Sequence, residues 1–242
     1  MSIPPIILFD FDGVIITQKS LEYAASIFRK KKFYKWTSMS LRLRLIDFAR
    51  LFEEADSKNR IKAFIKIIKI YKKYIPPRWR RILFFIKFRG FYPKYEKYET
   101  LKPHLEEILK QLKSSGFHLG IVSNTSGKRL STFRSRLNLD DYFSVFISRD
   151  DTHARKPSPY PIFDALIKLK KNLNISIERN KIYYVGDLPH DIECAKNAGV
   201  KSIASLSGHG TREDLEKSNP TYLIPDTKDL IEIEDFKKYL LD

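Results

Sequence analysis

Cysteine is all but absent from this chain. Cys194 stands alone, so no intramolecular disulfide can form, and a reducing, cytoplasmic setting is expected. Long apolar runs are missing as well. No stretch of about 18 uncharged apolar residues occurs, which argues against a membrane-spanning helix. Met1 to Phe9 has neither the basic start nor the apolar core of a secretion signal, so none is expected. Glycine is scarce, nine in 242 residues, and from Ser20 to Tyr95 the only one is Gly90. Acidic residues thin out over the same stretch. Residues 14–100 hold 23 Lys and Arg against 7 Asp and Glu, while the rest of the chain is balanced at 22 of each, so the whole net charge of +16 belongs to one segment. Such asymmetry marks a compositional boundary. No internal repeat or low-complexity tract is apparent.

What is present begins with core material. Hydrophobic residues make up 43% of the chain, enough for one large α/β domain with an insertion, or for two domains. Organisation starts at Ile6-Ile7-Leu8-Phe9-Asp10-Phe11-Asp12-Gly13-Val14. An apolar run too short for a helix, bounded by a turn signal, reads as a buried parallel strand. Side chains two apart on a strand share a face, so Asp10 and Asp12 are expected to converge at its end. Carboxylates forced together repel and call for a cation between them.

From about Ser20 to Tyr95 the apolar spacing becomes helical. Ile61, Phe64, Ile65, Ile68, Tyr71 and Ile75 line one face, with Lys62, Lys66, Lys69 and Lys73 opposite. Pro76-Pro77 divides two helices. Beyond Thr100, helix and strand alternate: helices are expected at Pro103–Leu112, Ser126–Leu137, Pro159–Leu169 and Asp191–Ala198. Strands are expected at Phe117–Val122, Phe143–Ile147, Lys181–Val185, Val200–Ala204 and Tyr222–Ile224, and Asp226–Leu240 should be partly helical. The fold class is therefore α/β, a Rossmann-like parallel sheet over residues 1–16 and 96–242, with an inserted basic α-helical cap over 17–95.

Position carries the functional argument. Asp10 and Asp12, Ser123 and Asn124, and Asp187 and Asp191 all follow the C-terminal ends of expected strands, and Lys156 lies in a loop beyond another. Ligands bind at that edge of open parallel sheets. Four aspartates are too many for one pocket without cations, and a hard divalent ion with oxygen ligands, Mg²⁺, suits them. Lys156 adds a fixed positive charge, and Ser123 offers a hydroxyl to a phosphoryl oxygen. Each residue also has a plainer reading, as helix cap, turn or solvated charge. His190 reads as a surface histidine, and Cys194 as a small buried residue.

The ordered set Asp-Phe-Asp-Gly-Val, Ile-Val-Ser-Asn-Thr, Lys-Pro-Ser-Pro and Val-Gly-Asp-Leu-Pro-His-Asp resembles the haloacid dehalogenase superfamily. Within it, the chain is similar to the phosphoglycolate phosphatase and β-phosphoglucomutase branch, to which Gly208-His209-Gly210 adds a further likeness. The resemblance implies that Asp10 is a nucleophile forming an aspartyl-phosphate, and that Asp12 is the acid and base. It gives Ser123, Asn124 and Lys156 to phosphate binding, Mg²⁺ to Asp10, Asp12 and Asp187, and a supporting place to Asp191. Asp12 also argues against a dehalogenase, whose leaving group needs no proton.

The implied function is a Mg²⁺-dependent phosphatase acting on a small phosphorylated metabolite. A phosphomutase of the same fold is the alternative, or a nucleic-acid-binding protein or polynucleotide-end phosphatase using the basic cap. The cap's charge is open to three readings: a solvated face, steering of anionic substrates, or binding of nucleic acid or an anionic membrane surface.

Overall fold

The computed structural model describes residues 5–17 and 96–240, and elements are numbered among these. The expected helical cap over 17–95, with its Ile61–Ile75 stripe and Pro76-Pro77 break, lies outside the described residues but for Thr17, and a short 3₁₀ turn at Glu96–Tyr98 follows it in the chain. The chain separates into two compact units, Met1–Thr17 with Thr100–Asp242, and Gln18–Glu99.

The first unit is built on six parallel strands. They are β1 (Ile6–Phe9), β2 (His118–Val122), β3 (Val145–Ile147), β4 (Ile182–Gly186), β5 (Lys201–Ser205) and β6 (Tyr222–Ile224), in the order β3-β2-β1-β4-β5-β6. Both faces of β1 are covered, which is why its sequence is continuously apolar rather than alternating. Ile7 and Phe9 join one core layer, Ile6 and Leu8 the other.

Helices α1 (Leu105–Ser114), α2 (Gly127–Arg136) and α6 (Glu234–Leu240) supply Leu109, Phe133 and Phe236 to the first layer. Helices α3 (Tyr160–Leu173) and α4 (Pro189–Ala198) supply Ile162, Ala165 and Ala195 to the second. A short helix, α5 (Arg212–Lys217), completes the set. The strand order runs outward in both directions from the β1–β4 pair. That pair is the topological switch point, where a crevice opens beyond the strand ends.

Most expected elements are present, with shifted ends. β1 stops at Phe9, before the first aspartate, and Asp12 makes only an isolated bridge to Ile16. Ser126 caps α2 by accepting from the Arg129 N–H at 3.3 Å. The expected helix over Pro159–Leu169 runs four residues further, to Leu173, and ends where Asn174 takes a left-handed φ of 50°. Gly199 closes α4 with φ 68°, the conformation a glycine adopts without strain. Helix α5, capped by Thr211, has no apolar periodicity in the sequence to announce it.

Candidate active site

Asp10 is the first residue beyond β1, and its N–H donates to the Val185 carbonyl at 2.8 Å, holding it level with the end of β4. Asp187 follows β4 directly, so the two acids flank the switch point. Asp191 is the third residue of α4, where its Oδ2 accepts the N–H of Asp187 (3.2 Å) and Leu188 (3.0 Å). The carboxylate thus satisfies two of the amides at that helix start. Lys156 enters from the loop before α3, with its backbone N–H held by Asn124 Oδ1 at 3.2 Å.

Lys156 is the electrostatic centre. Its ammonium, with the side chain 1% exposed, donates to Asp10 Oδ1 at 2.7 Å, Asp191 Oδ1 at 2.6 Å and the Tyr184 hydroxyl at 2.9 Å. Three N–H groups meet three acceptors, so the buried cation is fully satisfied. The Tyr184 O–H in turn donates to the Val122 carbonyl at 2.8 Å, tying Lys156 to the end of β2. Burial works to lower the Lys156 pKa, but Asp10, Asp191 and Tyr184 outweigh it and raise it well above the ordinary value.

Asp187 is held from the other side. Its Oδ2 accepts from the His209 backbone N–H at 2.6 Å and lies 2.9 Å from His209 Nδ1. Burial pushes its pKa up, yet the hydrogen bonds and charge of His209 leave it below the usual carboxylate value. Its Oδ1 is buried with no hydrogen-bond partner. Lys102, also buried, donates to Ser207 Oγ at 2.6 Å in the loop that carries His209.

One carboxylate oxygen each from Asp10, Asp187 and Asp191 lies within 4.8 Å of the others. Burial pushes the Asp10 carboxyl up to about 8, with Asp191 and Asp187 adding to the rise and Lys156 opposing it. One ammonium therefore does not neutralise this cluster. The orphaned Asp187 oxygen and the all-oxygen donor set fit a hard divalent cation.

The structure brings Asp10, Lys156, Asp187 and Asp191 together, with Tyr184 Oη joining Lys156 to Val122, the residue before Ser123. Asn124 spends its side-chain oxygen on the Lys156 backbone. Ser123 is buried, and its Oγ accepts the Thr125 N–H at 3.2 Å.

Asp12 is set apart. Its carboxylate does not join the cluster but pairs with Arg129 of α2, because the strand ends at Phe9 and the same-face rule does not extend to the residues beyond it. His190 is half-buried rather than a free surface residue, with Nε2 3.6 Å from Asp191 Oδ1. Cys194 is fully buried, donates to the Ser158 carbonyl at 3.0 Å and has its pKa pushed up to about 12 by burial, which makes it an inert packing residue.

Sequence reasoning overlooked Arg129, Tyr184 and Lys102. A signal existed for Tyr184, since a tyrosine inside an otherwise apolar parallel strand must find a partner for its hydroxyl. None existed for Arg129, one of several basic residues on its helix.

A doubly wound parallel sheet with a lysine buried among three aspartates at its switch point defines a Rossmann-like α/β enzyme. A profile of the haloacid dehalogenase-like hydrolases matches residues 7–205. The chain belongs to that family. It is 27% identical over 229 residues, 94% of its length and 93% of the relative's, to a protein of Caldanaerobacter subterraneus provisionally named as a pyrophosphatase. It is 30% identical over 131 residues to the phosphoglycolate phosphatase of Escherichia coli K12, a match spanning 54% of this chain and 50% of that one. A hydrolase of Pseudomonas syringae shares the fold, with a TM-score of 0.62 at 16% identity over 94% of this chain and 96% of the other.

Proposed function

We propose that this chain is a Mg²⁺-dependent phosphatase that hydrolyses a small phosphate ester through an aspartyl-phosphate on Asp10. The observation that carries the reading is the buried Lys156 ammonium between Asp10 and Asp191, with the orphaned Asp187 oxygen beside them. In this reading Asp10 and Asp187, with the backbone carbonyl of Asp12, hold Mg²⁺, which offsets negative charge on the carboxylates and the phosphate.

Lys156 fixes Asp10 through one oxygen and leaves the other to attack phosphorus. As the new P–O bond forms, the bond to the leaving oxygen breaks, and Asp12 gives that oxygen its proton. Asp12, now ionised, takes a proton from water. The resulting attack on phosphorus breaks the bond to Asp10 and releases inorganic phosphate. Ser123 holds a phosphoryl oxygen during both steps, and Lys156, its three N–H groups spent on Asp10, Asp191 and Tyr184, supplies a fixed positive charge beside it. Asn124 serves them indirectly by gripping the Lys156 backbone. Asp191 aligns Lys156 and the first turn of α4.

The names of the relatives support phosphate chemistry and add a phosphoanhydride to the substrates to be tried. Residues 17–95 are proposed as a basic helical cap that draws anionic substrates in. The test is phosphate release from a panel of phosphorylated metabolites and inorganic pyrophosphate, with Mg²⁺, with EDTA, and with Asp10→Asn. Mg²⁺-dependent release that the variant lacks supports the reading. Release by Asp10→Asn at the wild-type rate would refute it.

A further inference from the structure

Arg129 presents both ends of its guanidinium to Asp12. Nη1 donates to Asp12 Oδ2 at 2.6 Å and Nη2 to Asp12 Oδ1 at 2.8 Å, a two-point pairing with both side chains about 15% exposed. Nη1 also donates to Thr125 Oγ1 at 3.0 Å. The arginine is itself confined. Its guanidinium carbon lies 5.0 Å from the centre of the Phe133 ring and 5.7 Å from that of Phe11, and the two rings pack edge to face at 5.3 Å. Its backbone N–H is spent on Ser126 at the start of α2. A flat, five-donor group held against two packed rings can fix the plane of a carboxylate, whereas a lysine would fix only a distance.

We propose that Arg129 is the positioning residue for Asp12, setting the carboxylate plane from which Asp12 handles the leaving-group proton. The contact joins the loop after β1 to the helix that begins just beyond Ser123. Proton-handling and phosphate-holding groups are thereby kept in one frame. A carboxylate oxygen paired in this way retains a second, outer lone pair, so the fork restrains Asp12 without blocking proton transfer. The role rests on the proposed reading of Asp12 as acid and base.

A residue that acts through Asp12 matters only where Asp12 matters. An alkyl phosphate needs its leaving oxygen protonated; p-nitrophenyl phosphate releases a stable phenolate and does not. Arg129→Met keeps an aliphatic stem beside the rings and removes the fork. For this variant kcat on an alkyl phosphate should fall by about thirtyfold or more with KM nearly unchanged, while the first-turnover burst of p-nitrophenol falls by less than about threefold. Arg129→Lys, which keeps the charge, should show the same split and guards against misfolding of the methionine variant. On an Asp12→Asn background, Arg129→Met should cause no further loss.

Equal losses on both substrates, or full additivity with Asp12→Asn, would reduce Arg129 to a packing residue and overturn the proposal. If Asp12→Asn itself shows no split between the substrates, the acid–base reading of Asp12 fails first. The role of Arg129 fails with it.

Discussion

At the scale of single residues, the site is a problem of buried charge. Lys156 is the one ammonium hydrogen-bonded within the Asp10–Asp191 part of the cluster among the described residues, and each of its N–H groups has a partner. Asp10→Asn keeps the shape but supplies an amide where a carboxylate must attack, so turnover should vanish while the circular dichroism spectrum is unchanged. Tyr184→Phe removes one hydroxyl and leaves the Val122 carbonyl and one Lys156 N–H without their partner. Such buried vacancies cost about 1–3 kcal/mol, which urea denaturation of the variant should read as a lowered midpoint at unchanged slope. The acids were legible because each follows the end of an apolar run. The pairing of Asp12 was not, since it depends on Arg129, 117 residues further along the chain, and on a backbone that leaves the strand at Phe9.

At the scale of elements, boundaries followed burial. The periodicity in α3 fades after Leu169 because the last turn is exposed, with Lys170, Lys171 and Leu173 facing water, yet the helix continues. Helix α5 buries only Leu215, and one apolar residue sets no period to detect. Helix α6 is tied to the sheet by polar contacts as well as by Phe236. Asp235 Oδ2 accepts from Tyr183 and Tyr222, each at 2.8 Å, and pairs with Lys201. Lys201 foremost, with the two tyrosines, holds its pKa at about 2 against an ordinary 3.8. A depressed carboxylate stabilises the fold above its unfolded pKa and loses that contribution as pH falls through the folded one. Asp235→Asn should therefore melt below the wild type near neutral pH. The gap between their melting temperatures should close between about pH 4 and pH 2.

At the scale of the whole molecule, the sequence showed the alternation of strand and helix, and from it the edge at which distant residues would meet. It could not show the strand order or the pairings of Lys156, because both depend on which helices cover which face. The assembled cluster also predicts a response that does not involve turnover. A cation bound only by the folded protein raises its melting temperature, so millimolar Mg²⁺ should shift the wild-type transition upward by several degrees, and Asp187→Asn should abolish the shift. A wild-type melting curve indifferent to Mg²⁺ would count against the cation site.

The surroundings of Asp187 and Asp191 carry one more consequence. Gly13, Gly208 and Gly210 crowd Asp187, and Gly186 lies against Asp191; a methyl group added at any of the four would collide with atoms of these acids. At these four positions the wall is bare main chain, with no room for even the smallest ornament. Whatever fits the enzyme to one molecule rather than another must therefore be written elsewhere in the chain, and efforts to redirect its taste by mutation should leave this corner alone.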